Sequence, residues 1–264
     1  MEPIVNIAAQ AAEAGGLVIE RAFERLDRVQ VESKATNDFV TEVDRAAEAA
    51  IIEVIQQYYR DKHHILSEEI GSVGPEGADF QWIIDPLDGT TNFIHGFPQF
   101  AISIAVKIRG RLEHGLIYDP ISREMFYASR GKGAFLNKTR IRVSDRLTFA
   151  GTLIGTGFPF KKDQMETVDS YLGMFKAIMT EAAGIRRPGS AALDLAYVAC
   201  GRLDGFWEMN LKPWDIAAGI VIVREAGGLI SDLKGGETYL ESGNILTANP
   251  KLFKQMLKTI SPFA

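Results

Sequence analysis

The sequence predicts a mixed α/β protein, and three observations carry that prediction. The first sixty residues hold two apolar patterns of helical period. From Phe80 to Ile141 short apolar runs are separated by turn residues, as in an antiparallel sheet. The second half alternates strand-like runs with helical ones. With 264 residues and no long linker or repeat, the chain is expected to form one unit over 1–264. Its subdomains are expected at about 1–145, with the antiparallel sheet, and 146–264, with alternating α/β, meeting near residues 143–151.

The elements follow in order. Val5, Ala8, Ala12, Ile19 and Phe23 share one helical face over residues 3–27. A second helix is expected over 42–60, with Ala46, Ala50, Val54 and Tyr58 on its stripe. Trp82-Ile83-Ile84 reads as the end of a buried strand, preceded by a loop from Gly71 to Asp79. Strands are expected at Phe100–Ile108, Leu112–Tyr118, Glu124–Ala128 and Ala134–Leu136. Arg109-Gly110, Asp119-Pro120 and Gly131-Lys132-Gly133 mark the turns between them. Thr152–Gly155 is a short strand, and 163–182 an amphipathic helix carrying Met165, Val168, Tyr171, Leu172, Phe175, Ile178 and Met179. Gly189-Ser190 opens a helix through Ala199, and Trp214-Asp215 opens another through Ala226. Phe206-Trp207-Glu208, Leu229–Asp232 and Asn244–Ala248 read as strands, and 250–260 as a closing helix.

Composition excludes several classes. The net charge of −5 argues against general binding to nucleic acid or to an anionic membrane. A single cysteine, Cys200, rules out an intrachain disulfide framework and suits a reducing compartment. Met1-Glu2-Pro3-Ile4 has no basic segment leading into an apolar core, and no apolar run approaches a membrane span, so the expectation is cytoplasmic. There is no Gly-x-Ser-x-Gly elbow, Walker loop, dinucleotide fingerprint or zinc-type Cys/His spacing.

The chemistry centres on Asp85-Pro86-Leu87-Asp88-Gly89-Thr90-Thr91-Asn92. Pro and Gly in this stretch suggest that the chain leaves its strand abruptly and aims two carboxylates at one point. Carboxylates so aimed repel unless a cation sits between them, so a divalent metal site is expected at the strand end. The same residues also suit an ordinary β-turn. Three further acidic residues follow apolar or turn residues: Asp44, Glu68 and Asp215. Taken singly, Asp215 suits a helix first turn and Glu68 a surface. Together they supply oxygen ligands of the kind that Mg²⁺ takes. Thr90 adds a hydroxyl, and the Gly89 and Thr90 N–H groups could hold phosphate oxygens if a helix begins there.

Together these segments resemble the inositol monophosphatase family of metal-dependent, lithium-sensitive phosphatases. Asp85-Pro86-Leu87-Asp88-Gly89-Thr90-Thr91-Asn92-Phe93 is similar to the first family signature. Trp214-Asp215-Ile216-Ala217-Ala218-Gly219, followed by Glu225-Ala226-Gly227-Gly228, is similar to the second. Val40-Thr41-Glu42-Val43-Asp44 and Ser67-Glu68-Glu69 occupy the remaining places, and the likeness spans nearly the whole chain. Arg186-Arg187-Pro188-Gly189-Ser190-Ala191-Ala192-Leu193-Asp194-Leu195-Ala196-Tyr197 points to the bacterial inositol-1-monophosphatases.

The resemblance implies a layered αβαβα sandwich and a Mg²⁺-dependent release of myo-inositol and phosphate by an activated water. It implies two or three ions, with Glu68, Asp85 and the Leu87 carbonyl on the first and Asp85, Asp88 and Asp215 on the second. Glu68 would also support a weaker third. Thr90 and Asp44 would orient the attacking water and help remove its proton. Gly89 and Thr90 amides would hold the phosphate, and Gly189, Ser190 and Ala191 would line the substrate side. Glu208 would accept hydrogen bonds from polyol hydroxyls. Lys34 stands where the family often has a basic residue, and Arg186-Arg187 and Lys161-Lys162 are the candidates for a second phosphate. Related enzymes act on fructose 1,6-bisphosphate, 3′-phosphoadenosine 5′-phosphate or histidinol phosphate, and those substrates stay open. The resemblance also implies a homodimer. It carries a second role as well, since some bacterial members act in transcription antitermination and ribosomal RNA synthesis through Nus factors and RNA polymerase.

Overall fold

The computed structural model describes residues 2–35, 38–159 and 162–264, with the side chains of 33–39, 61 and 160–163 outside the description. Lys34 and the Lys161-Lys162 pair therefore lie outside the described side chains. The helices are α1 (Pro3–Phe23), α2 (Glu42–Tyr59), α3 (Thr90–Ile94), α4 (Val168–Met179), α5 (Ala191–Ala199), α6 (Pro213–Glu225), α7 (Tyr239–Ser242) and α8 (Pro250–Ile260). The strands of the first half are β1 (Val31–Ala35), β2 (Asp38–Thr41), β3 (His64–Ser67), β4 (Gly71–Val73), β5 (Phe80–Asp88), β6 (Ala101–Ile108), β7 (Arg111–Asp119), β8 (Glu124–Ser129), β9 (Gly133–Leu136) and β10 (Thr139–Ile141). Those of the second half are β11 (Leu153–Thr156), β12 (Gly184–Arg186), β13 (Gly205–Glu208), β14 (Leu229–Ser231) and β15 (Ile245–Ala248).

Among the described residues the strands form a two-stranded ribbon, an eight-stranded sheet and a five-stranded sheet. The large sheet runs β10-β9-β8-β7-β6-β5-β3-β4 and is antiparallel except where β3 lies parallel to β5. The smaller runs β12-β11-β13-β15-β14, with β11 parallel to both of its neighbours. Alternation along β5 sends Trp82 and Ile84 into one core and Ile83 into another. The first core lies under α1 and α2, the second holds α5 and α6 between the two sheets, and a third lies between the small sheet and α4 with α8. The order is helix, sheet, helix, sheet, helix, as the sandwich requires.

Several elements differ from expectation. The buried stripe of α2 is Val43, Ala47, Ile51 and Ile55, one residue along from the expected one, and Tyr58 is exposed. The box in which Thr41 caps α2 sets that phase: Thr41 Oγ1 accepts from Val43 N at 3.1 Å, and Thr41 N donates to Asp44 Oδ2 at 2.8 Å. The expected helix over 163–182 starts as a 3₁₀ turn over Lys162–Thr167, and α4 buries Tyr171, Met174 and Ile178 while leaving Leu172 and Met179 exposed. β4 occupies part of the expected loop, held against β3 by Ile65–Val73 and Leu66–Ser72 pairing.

Candidate metal and phosphate site

β5 does not end at Ile84. Asp85 still pairs with Ser103 and Asp88 with Ala101, and the ladder is irregular between them. Pro86 cannot donate to a ladder, so the irregularity falls where the sequence places it. Asp85, 2% exposed, accepts the Leu87 N–H on Oδ1 at 3.0 Å, a local turn that presents both carboxylates from a strand still anchored on each side. The true exit is Gly89, at φ 105°, where a Cβ would come within 2.9 Å of the Gln99 carbonyl. α3 begins at once with Thr90.

Asp44 is not a surface acid of α2. It is 1% exposed, and its Oδ2 accepts from Thr41 Oγ1 at 2.6 Å as well as from Thr41 N. Its Oδ1 accepts from Thr90 Oγ1 at 2.9 Å, a distance short enough to win the Thr90 proton over the Leu87 carbonyl at 3.2 Å. The Thr90 oxygen thus keeps its lone pairs for an incoming hydrogen. Burial raises the Asp44 carboxyl above its usual range, while the Thr41 and Thr90 hydrogen bonds oppose that rise.

Asp88 reaches across to α5. Its Oδ2 accepts from Ser190 Oγ at 2.6 Å and from Ala192 N at 2.7 Å, and Ser190 also caps α5. Burial pushes Asp88 up to about 6 despite these bonds. Asp215 sits in the first turn of α6 and accepts Lys212 N on Oδ2 at 2.7 Å, so it is a capping residue as well as a pocket acid. Ser103 of β6 donates to the Trp214 carbonyl at 2.9 Å and pins the start of α6 beside β5. Glu68 follows β3, its N–H donating to Ile84 O at 3.2 Å. Glu48 of α2 accepts from Glu69 N and Ile70 N and holds the adjoining loop.

These segments open onto one cleft of about 830 Å³. Glu68, Asp85, Leu87, Asp88, Thr90 and Asp215 line it. Gly89, Gly189, Ala191, Arg187 and Glu208 line it too, while Ser190 stands behind as the cap and Asp44 stands behind Thr90. Burial raises the Asp85 carboxyl far above its usual range, and the charges of Glu68, Asp88 and Asp215 add to the rise. Glu208 is pushed up to about 8, by burial first, with Arg187 pulling it down and Asp215 and Asp88 adding to the rise. Sequence reasoning gave no role to Asp194, a buried acid in the same cleft, nor to Asn92. Asn92 Nδ2 donates to both Gln99 O, at 2.7 Å, and Pro188 O, at 2.8 Å, tying α3 to the loop before α5. Asp194 stands inside the stretch 186–197 that carries the family likeness, which signals its neighbourhood but not its role.

The donors offered by Glu68, Asp85, Leu87, Asp88, Thr90 and Asp215 are all oxygen, which suits a hard cation such as Mg²⁺. An acid as buried as Asp85, with three carboxylates adding to its proton affinity, also wants a cation beside it. Among the described residues, no three Asp, Glu, His or Cys side chains meet tightly around a single point, and Asp88 and Asp215 each turn one oxygen to a backbone N–H.

An acidic cleft at a strand end, beside two helix starts and within an αβαβα sandwich, has the make-up of a phosphatase of the class that is generally metal-dependent. The model of the inositol monophosphatase family matches residues 1–262, and the chain belongs to that family. It is 53% identical to the Nus factor SuhB of Pseudomonas aeruginosa, over 99% of this chain and 97% of that one. Among solved structures, the extragenic suppressor protein suhB of Bartonella henselae superposes with a TM-score of 0.93 at 42% identity, covering 97% of this chain and 98% of that one. The inositol monophosphatase of Anabaena (Nostoc) sp. PCC 7120 superposes with a TM-score of 0.86 at 37% identity, covering 98% and 95%.

Proposed function

We propose that the protein hydrolyses the phosphate monoester of a polyol, with inositol 1-phosphate as substrate, by direct attack of water and without a phosphoenzyme. The observation that carries this reading is the convergence of Glu68, Asp85, Asp88 and Asp215, from three separate segments, on the cleft that also holds Thr90. Glu68, Asp85 and the Leu87 carbonyl would hold one Mg²⁺, and Asp85, Asp88 and Asp215 a second. Bound there, the ions would neutralise the phosphate, lower the pKa of water and stabilise the leaving alkoxide.

The chain's own groups do the rest. Thr90, with its proton committed to Asp44, accepts a hydrogen from the attacking water and so aims that water's lone pair. Asp44 is the relay behind it, already bonded to Thr41. The N–H groups of Gly89 and Thr90 hold phosphate oxygens. Gly189 and Ala191 shape the substrate side, with Ser190 behind them holding Asp88, and Glu208 meets the hydroxyls of the alcohol. The whole chain acts as one unit in this reading, as a cytoplasmic homodimer. The test is Mg²⁺-dependent release of phosphate from inositol 1-phosphate by purified protein. Asp88→Asn and Asp215→Asn should each abolish it, and near wild-type activity in either would overturn the ligand assignment.

A second role is favoured by the name of the Pseudomonas aeruginosa relative, Nus factor SuhB. In that role the chain contacts a Nus factor or RNA polymerase through its surface and not through the cleft. No helix among the described residues is long and apolar enough to cross a membrane. Pull-down with purified Nus factors and polymerase, using wild-type protein and Asp88→Asn, tests it. Equal capture by both supports a surface role separate from catalysis, and capture by neither removes it.

A further inference from the structure

β11 ends in Gly155 and Thr156, and Gly157 follows it at once. Residues two apart in a strand face the same way. Each glycine has a carboxyl against it. A Cβ at Gly157 would overlap the Glu208 carboxyl, and a Cβ at Gly155 would stand 3.5 Å from Asp194 Oδ1. Two acids from different elements, α5 and β13, thus lie against glycines two residues apart, at and just beyond the end of β11, and the charge of Glu208 is felt at Asp194.

Asp194 is 1% exposed and lines the cleft. Its Oδ1 has no hydrogen-bond partner. A buried carboxyl oxygen without a partner is costly, and nothing in the packing of α5 requires a carboxyl there. Leu203 and Phe206, the other neighbours of Gly155, are apolar and offer it nothing. The shelf lies in the same cleft as the carboxylates around Asp85 but consists of different residues.

We propose that Asp194 and Glu208 form a carboxyl pair that selects the leaving alcohol, with Asp194 a specificity-determining residue that admits hydroxyl groups and rejects a second phosphate. The inference rests on the phosphomonoesterase reading above and adds the basis of its selectivity. A hydroxyl carries one donor and accepts as well, so it satisfies a carboxyl in either protonation state. A phosphate offers acceptors only, so it can bond these acids only through protons they retain, and it leaves each carboxyl's acceptor oxygen unmatched. Like charges brought together in a water-poor cleft would otherwise repel strongly. A polar substrate group at Asp194 also supplies the partner that its buried oxygen lacks. Discrimination of this kind is strong because the wrong ligand leaves buried polar groups unmatched.

The experiment measures kcat/KM for inositol 1-phosphate and for fructose 1,6-bisphosphate, with Mg²⁺, in wild-type protein and in Asp194→Asn. The amide supplies a donor and removes the charge. Preference for the monophosphate should fall by tenfold or more, chiefly through a lower KM for the bisphosphate. An unchanged ratio in folded Asp194→Asn overturns the inference while leaving the phosphatase reading intact. Wild-type protein inactive on both substrates overturns both. Should Asp194→Asn fail to fold, Glu208→Gln is the variant to measure, with the same direction expected and an unchanged ratio again overturning the pair.

Discussion

Ser190 Oγ lies 2.6 Å from Asp88 Oδ2, joining residues 102 apart in the chain. The same hydroxyl accepts from Leu193 N and caps α5. One side chain therefore starts a helix and sets the rotamer of a candidate metal ligand. Ser190→Ala should lose about 1–2 kcal/mol of stability, from the cap and the orphaned carboxylate oxygen. It should also raise the Mg²⁺ concentration needed for half-maximal activity, since misplaced ligands typically weaken a metal site by 10–100-fold. Thermal melts and a Mg²⁺ titration of activity measure the two effects.

Thr90 and Asp44 separate a hydroxyl's role from its bulk. Thr90→Ser keeps the oxygen 2.9 Å from Asp44 and should remain active. Thr90→Val keeps the shape and loses the hydroxyl, and kcat should fall by about 10²–10⁴, the range for a lost proton-handling group. Steady-state kinetics on both variants checks this, and a Thr90→Val enzyme with wild-type kcat would remove Thr90 from the mechanism.

Metal and proton should compete for the acidic cleft. The folded pKa of Asp88, about 6, lies above its ordinary 3.8. A carboxyl with a raised folded pKa contributes stability below its unfolded pKa and loses it as pH rises through the folded one. In EDTA the melting temperature should therefore fall as pH climbs from about 4 through 6, with Glu208 extending the fall toward about 8. Mg²⁺ should raise the melting temperature most at the alkaline end, because it binds the deprotonated folded form. Paired melts with EDTA and with Mg²⁺ across that range provide the measurement.

Gly157 makes room for Glu208, since any Cβ there would overlap its carboxyl. Gly157→Ala should displace Glu208 and lower kcat/KM for inositol 1-phosphate by about 10–100-fold, as a misplaced binding group does. The far-ultraviolet circular dichroism spectrum should be unchanged. Wild-type kinetics in this variant would show that Glu208 does not meet the substrate.

His63 behaves in the opposite sense to the acids. It stacks between Tyr59 and Phe80, with ring centroids 4.0 and 4.6 Å away, and its Nδ1 accepts from Trp82 Nε1 at 2.9 Å. Burial lowers its pKa. A depressed histidine contributes stability above its unfolded pKa of about 6.5 and loses it as pH falls through the folded value. Urea midpoints should drop on the acid side of 6.5, and His63→Phe should flatten that drop.

Local signals were legible to the residue or nearly so. α8 occupies Pro250–Ile260, within the expected 250–260, because Asn249 caps it and Pro250 starts it. The hairpins from β6 to β9 stand where Arg109-Gly110, Asp119-Pro120 and Gly131-Lys132-Gly133 placed their turns. The β1–β2 ribbon, the parallel pairing of β3 with β5, and the phase of α2 were not legible. Pairing between distant strands leaves no mark on local periodicity, and a one-residue phase shift turns on a cap.

By itself the sequence determined that this chain is a mixed α/β protein with carboxylates clustered at the ends of apolar runs, since periodicity, turn chemistry and acid placement are local properties. Only the tertiary structure decided that Asp44 stands behind Thr90, that Ser190 holds Asp88, and that Asp194 joins Glu208 on a shelf of bare glycine. Those relations arise where α2, α3 and α5 meet across the sheets. A contact between elements is set by how their faces pack, and neither partner carries the other's position in its own stretch of chain.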